Sequence, residues 1–225
     1  MGSSSDRLIP TPTGDARVVV DAAADPWGTF VAGHGAGGGA EARDLAALAA
    51  ALPARGLTVV RVEQPWRVAG KRIAPAPSRL DTAWVAVLEA LRDELTGRLV
   101  VAGRSAGARV ACRTARRVGA AGVVALAFPL HPPGRPAEGA GDLPRATQRS
   151  RVEELLGTGV PTLVVQGERD AFGAPEEFPP EVELRRVPAA DHGFAVPRSA
   201  DLGQQEALNI LVDAVAGWLE KSFYP

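Results

Sequence analysis

Short runs of β-branched and other apolar residues alternate along the chain with longer stretches whose apolar side chains recur every three or four positions. The short runs predict strands, several of them apolar on both faces, as is typical of strands covered by helices on each side. These strands are 16–21, 29–33, 57–62, 99–103, 123–128, 162–166 and 182–187. The longer stretches predict helices at 40–52, 80–95, 106–118 and 204–219.

This alternation predicts an α/β fold, a three-layer sandwich around a mostly parallel central sheet. The first two strands are too close in sequence for a helical crossover, so we expect an antiparallel start. Residues 16–225 are assigned to this single domain, and 1–15 are expected to be a flexible N-terminal segment. The Pro-, Gly- and Arg-rich stretch 131–147 predicts a loop. With only about 30 residues between the flanking strands, a large cap domain is not expected.

Composition narrows the classes of function. The 225 residues, 46% of them hydrophobic, suit one domain with a buried core. A net charge of −1 gives no electrostatic reason to expect nucleic acid or an anionic membrane as partner. The N-terminus lacks a signal-peptide core and no apolar run approaches the roughly 20 residues that cross a bilayer, so a cytoplasmic location is expected. The single cysteine, Cys112, excludes an internal disulfide and is expected in the core.

A Gly-x-Ser-x-Gly motif at residues 103–107 is the strongest chemical signal, because a predicted strand enters it and a predicted helix leaves it. This strand-turn-helix arrangement places Ser105 on a sharp bend, with its hydroxyl exposed above the edge of the sheet. The flanking glycines have no side chains, which lets the strand and helix backbones approach closely. Ser105 is therefore the predicted nucleophile.

A serine nucleophile requires a base and an acid that orients the base. Of the three histidines, only His192 lies in a loop directly after the last predicted strand, and Asp170 follows the strand 162–166. The order serine, acid, histidine fits a hydrolase triad, because parallel strands deliver all three loops to one edge of the sheet. Asp191 and Glu168 are the competing acids, although Asp191 adjoins the histidine and neighbours rarely achieve the required geometry.

A glycine-rich loop, HGAGGG at residues 34–39, follows the strand 29–33. Its backbone N–H groups can stabilise the oxyanion of a tetrahedral intermediate, and losing one such donor costs roughly 3–4 kcal/mol. We assign the donors to Ala36 in this loop and Ala106 after the nucleophile, with Gly35 as the alternative to Ala36.

The same loop also satisfies the dinucleotide-binding fingerprint over residues 33–38, with Glu63 after the next predicted strand. The pattern lies on the second strand, however, and does not open the first strand-helix-strand unit. A dinucleotide-binding protein would also leave the serine, aspartate and histidine unexplained. It is the less favoured alternative, and no cofactor and no metal are expected.

With these residues in place, the chain resembles small bacterial α/β-hydrolases of the dienelactone-hydrolase-like group. The matching segments are HGAGGG, AGRSAGARVA, FPLHPPGRP, VVQGERDAFG and ADHGF. The resemblance implies the α/β-hydrolase fold and hydrolase chemistry, without naming a substrate. Dienelactone hydrolases proper carry cysteine where this chain has Ser105, so that specific activity is not carried over.

Three further residues are predicted to contact the substrate. Arg104 lies inside the serine motif, and His131 and Trp66 each follow the end of a predicted strand. Packing of its loop is the alternative role for His131, and a solvated surface is the alternative for the region around Trp66. The expected function is hydrolysis of a small-molecule carboxylic ester or thioester through an acyl-enzyme. The rival is a non-catalytic interaction module that retains the fold.

Overall fold

The computed structural model describes residues 4–132 and 150–224. The strands are β1 (Ser4–Thr11), β2 (Gly14–Asp21), β3 (Gly28–Gly33), β4 (Leu57–Glu63), β5 (Arg98–Arg104), β6 (Gly122–Leu126), β7 (Thr162–Gly167) and β8 (Glu183–Val187). The helices are α1 (Arg43–Ala51), α2 (Pro65–Val68), α3 (Pro77–Ala90), α4 (Ala106–Thr114), α5 (Val152–Leu156) and α6 (Gln204–Phe223). Each predicted strand and helix is present, with shifted ends.

These strands form one sheet in the order β1-β2-β4-β3-β5-β6-β7-β8. From β4 to β8 every neighbouring pair is parallel, whereas β1 pairs with β2 and β2 pairs with β4 in antiparallel fashion. The antiparallel start is therefore confirmed. The first two predicted strands, β2 and β3, are not neighbours, because β4 lies between them.

Within the expected flexible segment at 1–15, residues 4–11 instead form a strand, which corrects that expectation for them. β1 pairs with β2 along its whole length, from Ser4 opposite Asp21 to Thr11 opposite Gly14. The hydrophobic pattern does not reveal this strand because β1 lies at the edge of the sheet and only Ile9 in it is buried.

Helices cover both faces of the sheet, which makes the three-layer sandwich. Val31 and Val101 of the central strands pack in the cluster that includes α3 and α4, while Phe30 and Val100 pack in the cluster that includes α1 and α6. Cys112 belongs to the first cluster, and its burial raises the pKa of its thiol to about 12. Successive strand residues point to opposite faces, so each central strand contributes to both halves of the core.

The predicted loop at 131–147 lies, apart from its first two residues, outside the described residues. In the described part of the chain, the helix between β6 and β7 is the short α5, so no large cap domain is present there. No helix in the described ranges has the length and apolar character needed to span a bilayer.

The first turn of α4 packs against the end of β3 so closely that a Cβ on Gly107 would overlap the carbonyl group of Gly33. Because backbone must move to relieve this overlap, we expect Gly107→Ala to lower the free energy of unfolding by about 1–3 kcal/mol in urea denaturation. The matched control is Gly217→Ala on α6, where a Cβ meets nothing within 4 Å. At that position, alanine is expected to raise the free energy of unfolding by at most about 1 kcal/mol. Equal effects at the two positions would contradict the close approach.

Candidate active site

Ser105 lies on the tight turn between β5 and α4. Its φ of 54° is in the left-handed region, which residues other than glycine and asparagine rarely adopt. The turn is held by a 2.9 Å hydrogen bond from the Ser105 N–H to the carbonyl oxygen of Leu126. A Cβ on Gly103 would overlap the backbone of Gly107, so the flanking glycines are needed for this approach of strand and helix.

His192 and Asp170 complete a hydrogen-bonded chain with Ser105. His192 Nε2 lies 2.8 Å from Ser105 Oγ, and His192 Nδ1 lies 2.9 and 2.8 Å from the two carboxylate oxygens of Asp170. The Asp170 side chain is fully buried, whereas that of His192 is 23% exposed. With Nδ1 donating to the carboxylate, Nε2 is left to accept the serine proton. The structure thus brings the three predicted residues together from three loops.

Among the described residues, neither competing acid hydrogen-bonds to the His192 ring. Asp191 Oδ1 accepts hydrogen bonds of 2.8 Å from the backbone N–H groups of Gly193 and Ala195. Glu168 Oε2 accepts a 3.0 Å backbone hydrogen bond just after β8. Both carboxylates therefore hold local turns, and Asp170 is the acid in contact with the histidine.

Gln166, near the end of β7, is a site residue that the sequence reasoning missed. Its Nε2 donates to Asp170 Oδ2 at 2.9 Å, and its Oε1 accepts the backbone N–H of Phe128 at 2.9 Å. The backbone N–H of Phe172 donates to the other carboxylate oxygen at 2.8 Å. Gln166 therefore fixes the Asp170 carboxylate and ties it to the residues after β6. The available signal in the sequence was a polar residue at the end of an otherwise apolar strand, shortly before Asp170.

His34 holds the glycine-rich loop in place. Its Nδ1 donates to the carbonyl oxygen of Gly35 at 2.8 Å, and its Nε2 accepts the backbone N–H of Gln64, the residue before α2, at 3.0 Å. The side chain packs beside Trp66, with ring centroids 5.7 Å apart. Burial lowers the pKa of His34, so the neutral form that makes both hydrogen bonds is favoured.

A cavity of about 380 Å³ adjoins Ser105. The predicted oxyanion donors Ala36 and Ala106 both line it, as does the alternative, Gly35. Ala106 is the first residue of α4, so its N–H has no partner within the helix and is available to a bound oxygen. Phe172 also lines the cavity and packs on the His192 ring, with centroids 4.4 Å apart.

The predicted substrate contacts divide into one that reaches this cavity and two that lie elsewhere. Arg104 lines the cavity. His131 is buried, and its Nε2 lies 2.8 Å from a carboxylate oxygen of Glu177, which corresponds to the packing alternative. Trp66 lies behind the glycine-rich loop and lines a separate cavity of about 560 Å³. Neither His131 nor Trp66 is among the described residues that line the cavity at Ser105.

Two further arginines line the cavity at Ser105 and were not singled out from the sequence. Arg109 pairs with Glu154 at 2.6 Å, and Arg151 donates to backbone carbonyl groups at 3.2 and 3.3 Å. Within the described ranges Arg151 forms no ion pair with a carboxylate. Its burial, together with the charge of Arg109, lowers its pKa. The cavity therefore combines an apolar wall with guanidinium groups.

The chain matches the alpha/beta hydrolase domain family over residues 27–220 and therefore belongs to it. This assignment confirms the resemblance drawn from the motifs and identifies the chain as a hydrolase of the α/β type. No curated protein sequence matches the chain at a significant level.

Similar solved structures share the fold at low sequence identity. An α/β serine hydrolase without a lid from Xanthomonas campestris is 21% identical, with a TM-score of 0.68 and coverage of 98% of this chain and 93% of that one. Est1E from Butyrivibrio proteoclasticus, with ferulic acid bound, is 16% identical, with a TM-score of 0.72 and coverage of 96% and 98%. A dienelactone hydrolase from Anabaena variabilis is 17% identical, with a TM-score of 0.67 and coverage of 99% of both chains.

The lowered pKa of His34 predicts a pH dependence of stability. The unfolded chain binds a proton at His34 as the pH falls through the ordinary value of 6.5, whereas the folded chain binds it only at lower pH. The unfolded state then carries more protons, so the free energy of unfolding falls as the pH is lowered below about 6.5. We expect His34→Gln to weaken this dependence in urea denaturation between about pH 5 and pH 8. Identical pH slopes for the two proteins would contradict the burial argument.

Proposed function

We propose that this hydrolase cleaves a carboxylic ester or thioester through an acyl-enzyme intermediate. The observation that carries the proposal is the 2.8 Å contact between His192 Nε2 and Ser105 Oγ, with Asp170 bound to the other ring nitrogen. This is the arrangement that turns a weakly nucleophilic hydroxyl group into one that can attack a carbonyl carbon.

In the proposed reaction Ser105 Oγ attacks the carbonyl carbon while its proton passes to His192 Nε2. Asp170 stabilises the imidazolium that forms, and the N–H groups of Ala36 and Ala106 hold the oxyanion. His192 then gives the proton to the leaving alcohol or thiol, and the acyl group stays on Ser105. A water molecule, activated by His192, attacks the acyl-enzyme in the same way and releases the acid.

The glycine-rich loop supports this proposal over a dinucleotide site. A Cβ placed on Gly35 would lie 3.2 Å from the Cβ of Ser105, so the loop forms a wall of the serine cavity. The fold is also that of Est1E, which has been described with ferulic acid bound, and of a serine hydrolase without a lid. These similarities support an ester substrate but do not extend to its identity.

The proposed roles predict large losses of activity in single variants. Ser105→Ala should abolish labelling by a fluorophosphonate probe and lower kcat by roughly a millionfold, and Asp170→Asn should lower kcat by roughly 10⁴-fold. Glu168→Gln is the matched control, since Glu168 is a nearby exposed carboxylate that does not contact His192. Its kcat should equal that of the wild type. Failure of the folded wild type to label would favour the non-catalytic interaction module.

The arginines of the cavity predict a preference for substrates that carry a negative charge. We infer that an ester with a terminal carboxylate on its acyl group is cleaved faster than a neutral ester of equal length. A charge-assisted hydrogen bond contributes about 1.5–3 kcal/mol, so Arg151→Gln should reduce the ratio of the two kcat/KM values by roughly tenfold or more. Arg55→Gln is the control, because Arg55 pairs with Asp213 and Glu220 and does not line the cavity. An equal ratio in wild type and Arg151→Gln would contradict the inference.

A further inference from the structure

Asp44, the second residue of α1, is a fully buried carboxylate in the first turn of its helix. No other side chain hydrogen-bonds to its oxygens among the described residues, and the backbone N–H groups of Asp44 and Leu45 lie near them. Burying a carboxylate is costly unless it is paired and hydrogen-bonded, and burial raises the pKa of Asp44. The N-terminal turn of α1 favours an acidic residue, but it does not require one that is fully buried and faces an arginine.

The charged group that faces Asp44 most closely is the side chain of Arg104, the residue before the nucleophile. Arg104 Nε lies 3.6 Å from Asp44 Oδ2, and the Arg104 side chain is 14% exposed. This separation is an ion pair but exceeds hydrogen-bond length. Because Arg104 also lines the cavity at Ser105, Asp44 anchors from behind a side chain that reaches the proposed reaction site.

The guanidinium group of Arg104 lies between the two loops that the proposed chemistry must hold in register. On one side, its Nη2 lies 2.5 Å from the position that a Cβ would occupy on Gly38. Its Cζ lies 3.6 Å from the corresponding position on Gly35. On the other side its Nη1 lies 3.8 Å from the corresponding position on Gly193, next to His192. A Cβ on Gly38 would overlap the guanidinium group, whereas one on Gly193 would make ordinary contact with it, so the group packs tightly against the glycine-rich loop and lies beside the His192 loop.

We propose that Asp44 and Arg104 form a positioning pair that sets the spacing between the glycine-rich loop and the loop that carries His192. This proposal rests on the proposed serine hydrolase function, because the pair would keep the oxyanion donors and the base correctly spaced around Ser105. Asp44 acts through Arg104 and has no contact with the substrate. A misplacement of the reacting groups by about 1 Å can lower the rate roughly a hundredfold. A pair of residues that takes no part in the reaction can therefore still control kcat.

Stability and activity are expected to separate in this pair. Asp44→Asn relieves the burial of a carboxylate while keeping the shape of the side chain, and the Arg104 side chain keeps its place in the lining of the cavity. The melting temperature of Asp44→Asn should therefore equal or exceed that of the wild type, although its kcat falls. A purely structural aspartate would lower both together.

The test measures kcat and KM for nitrophenyl acetate in wild type, Asp44→Asn, Arg104→Met and the double variant. Each single change should lower kcat by roughly ten- to a hundredfold with little change in KM, since the lost register affects the transition state. The double variant should be no slower than Arg104→Met, because Asp44 acts through Arg104. Inhibition by a boronic acid, which forms a tetrahedral adduct with a catalytic serine, should weaken in parallel with kcat.

The control is the ion pair of Arg55 with Asp213 of α6, 3.2 Å apart, which does not line the cavity. Asp213→Asn and Arg55→Met should leave kcat at the wild-type value. Equal losses of kcat in the control pair would overturn the proposal, as would additive effects of the two substitutions in the double variant. A rise in KM without a fall in kcat for Arg104→Met would show that Arg104 contacts the substrate and does not position the loops.

Failure of this inference is distinguishable from failure of the proposed function. A wild type that neither labels with fluorophosphonate nor hydrolyses any ester would overturn the proposed function. An active wild type whose kcat is unchanged by Asp44→Asn would overturn only the positioning pair.

Discussion

The close backbone contact between the first turn of α4 and the end of β3 is the constraint on which the rest of the site depends. Gly107 lies against the carbonyl group of Gly33, and a side chain on Gly103 would overlap the backbone of Gly107. A strand and a helix that approach this closely can be joined only by a very tight turn, which places Ser105 at a φ of 54°. The glycine-rich loop begins directly after Gly33, so one contact positions both the nucleophile and the loop beside it.

Buried polar side chains then hold the loops that surround Ser105. Gln166 fixes the carboxylate of Asp170, and His34 ties the glycine-rich loop to the residue before α2. Such groups are costly to bury unless they are partnered, so the partnered arrangement is strongly preferred over alternatives in which a loop has moved. Asp44 is an exception, because no other side chain hydrogen-bonds to its oxygens in the described part of the chain and Arg104 is the charged group that faces it most closely. This exception lies directly behind the cavity.

Elements of the core were predictable because burial imposes a pattern on them. The strands β3, β5 and β6 are almost entirely buried, and their apolar runs mark them in the sequence. β1 was missed because an edge strand with Ile9 as its one buried residue carries no such pattern. The short helices α2 and α5 were missed as well, since four or five residues are too few to show a helical period. α4 ends four residues before the predicted end at 118, and the chain continues as a turn through Gly119.

By itself the sequence determined the α/β fold class, the serine motif between strand and helix, and the order of Ser105, Asp170 and His192 after their strands. These features follow from local patterns and from the rule that parallel strands end at one edge of a sheet. Only the tertiary structure decided that Asp170 and not a neighbouring acid contacts His192, and that Arg151 lines the cavity while His131 does not. Contacts between side chains on different loops depend on strand order and backbone direction, and a periodic pattern along one segment carries no information about either.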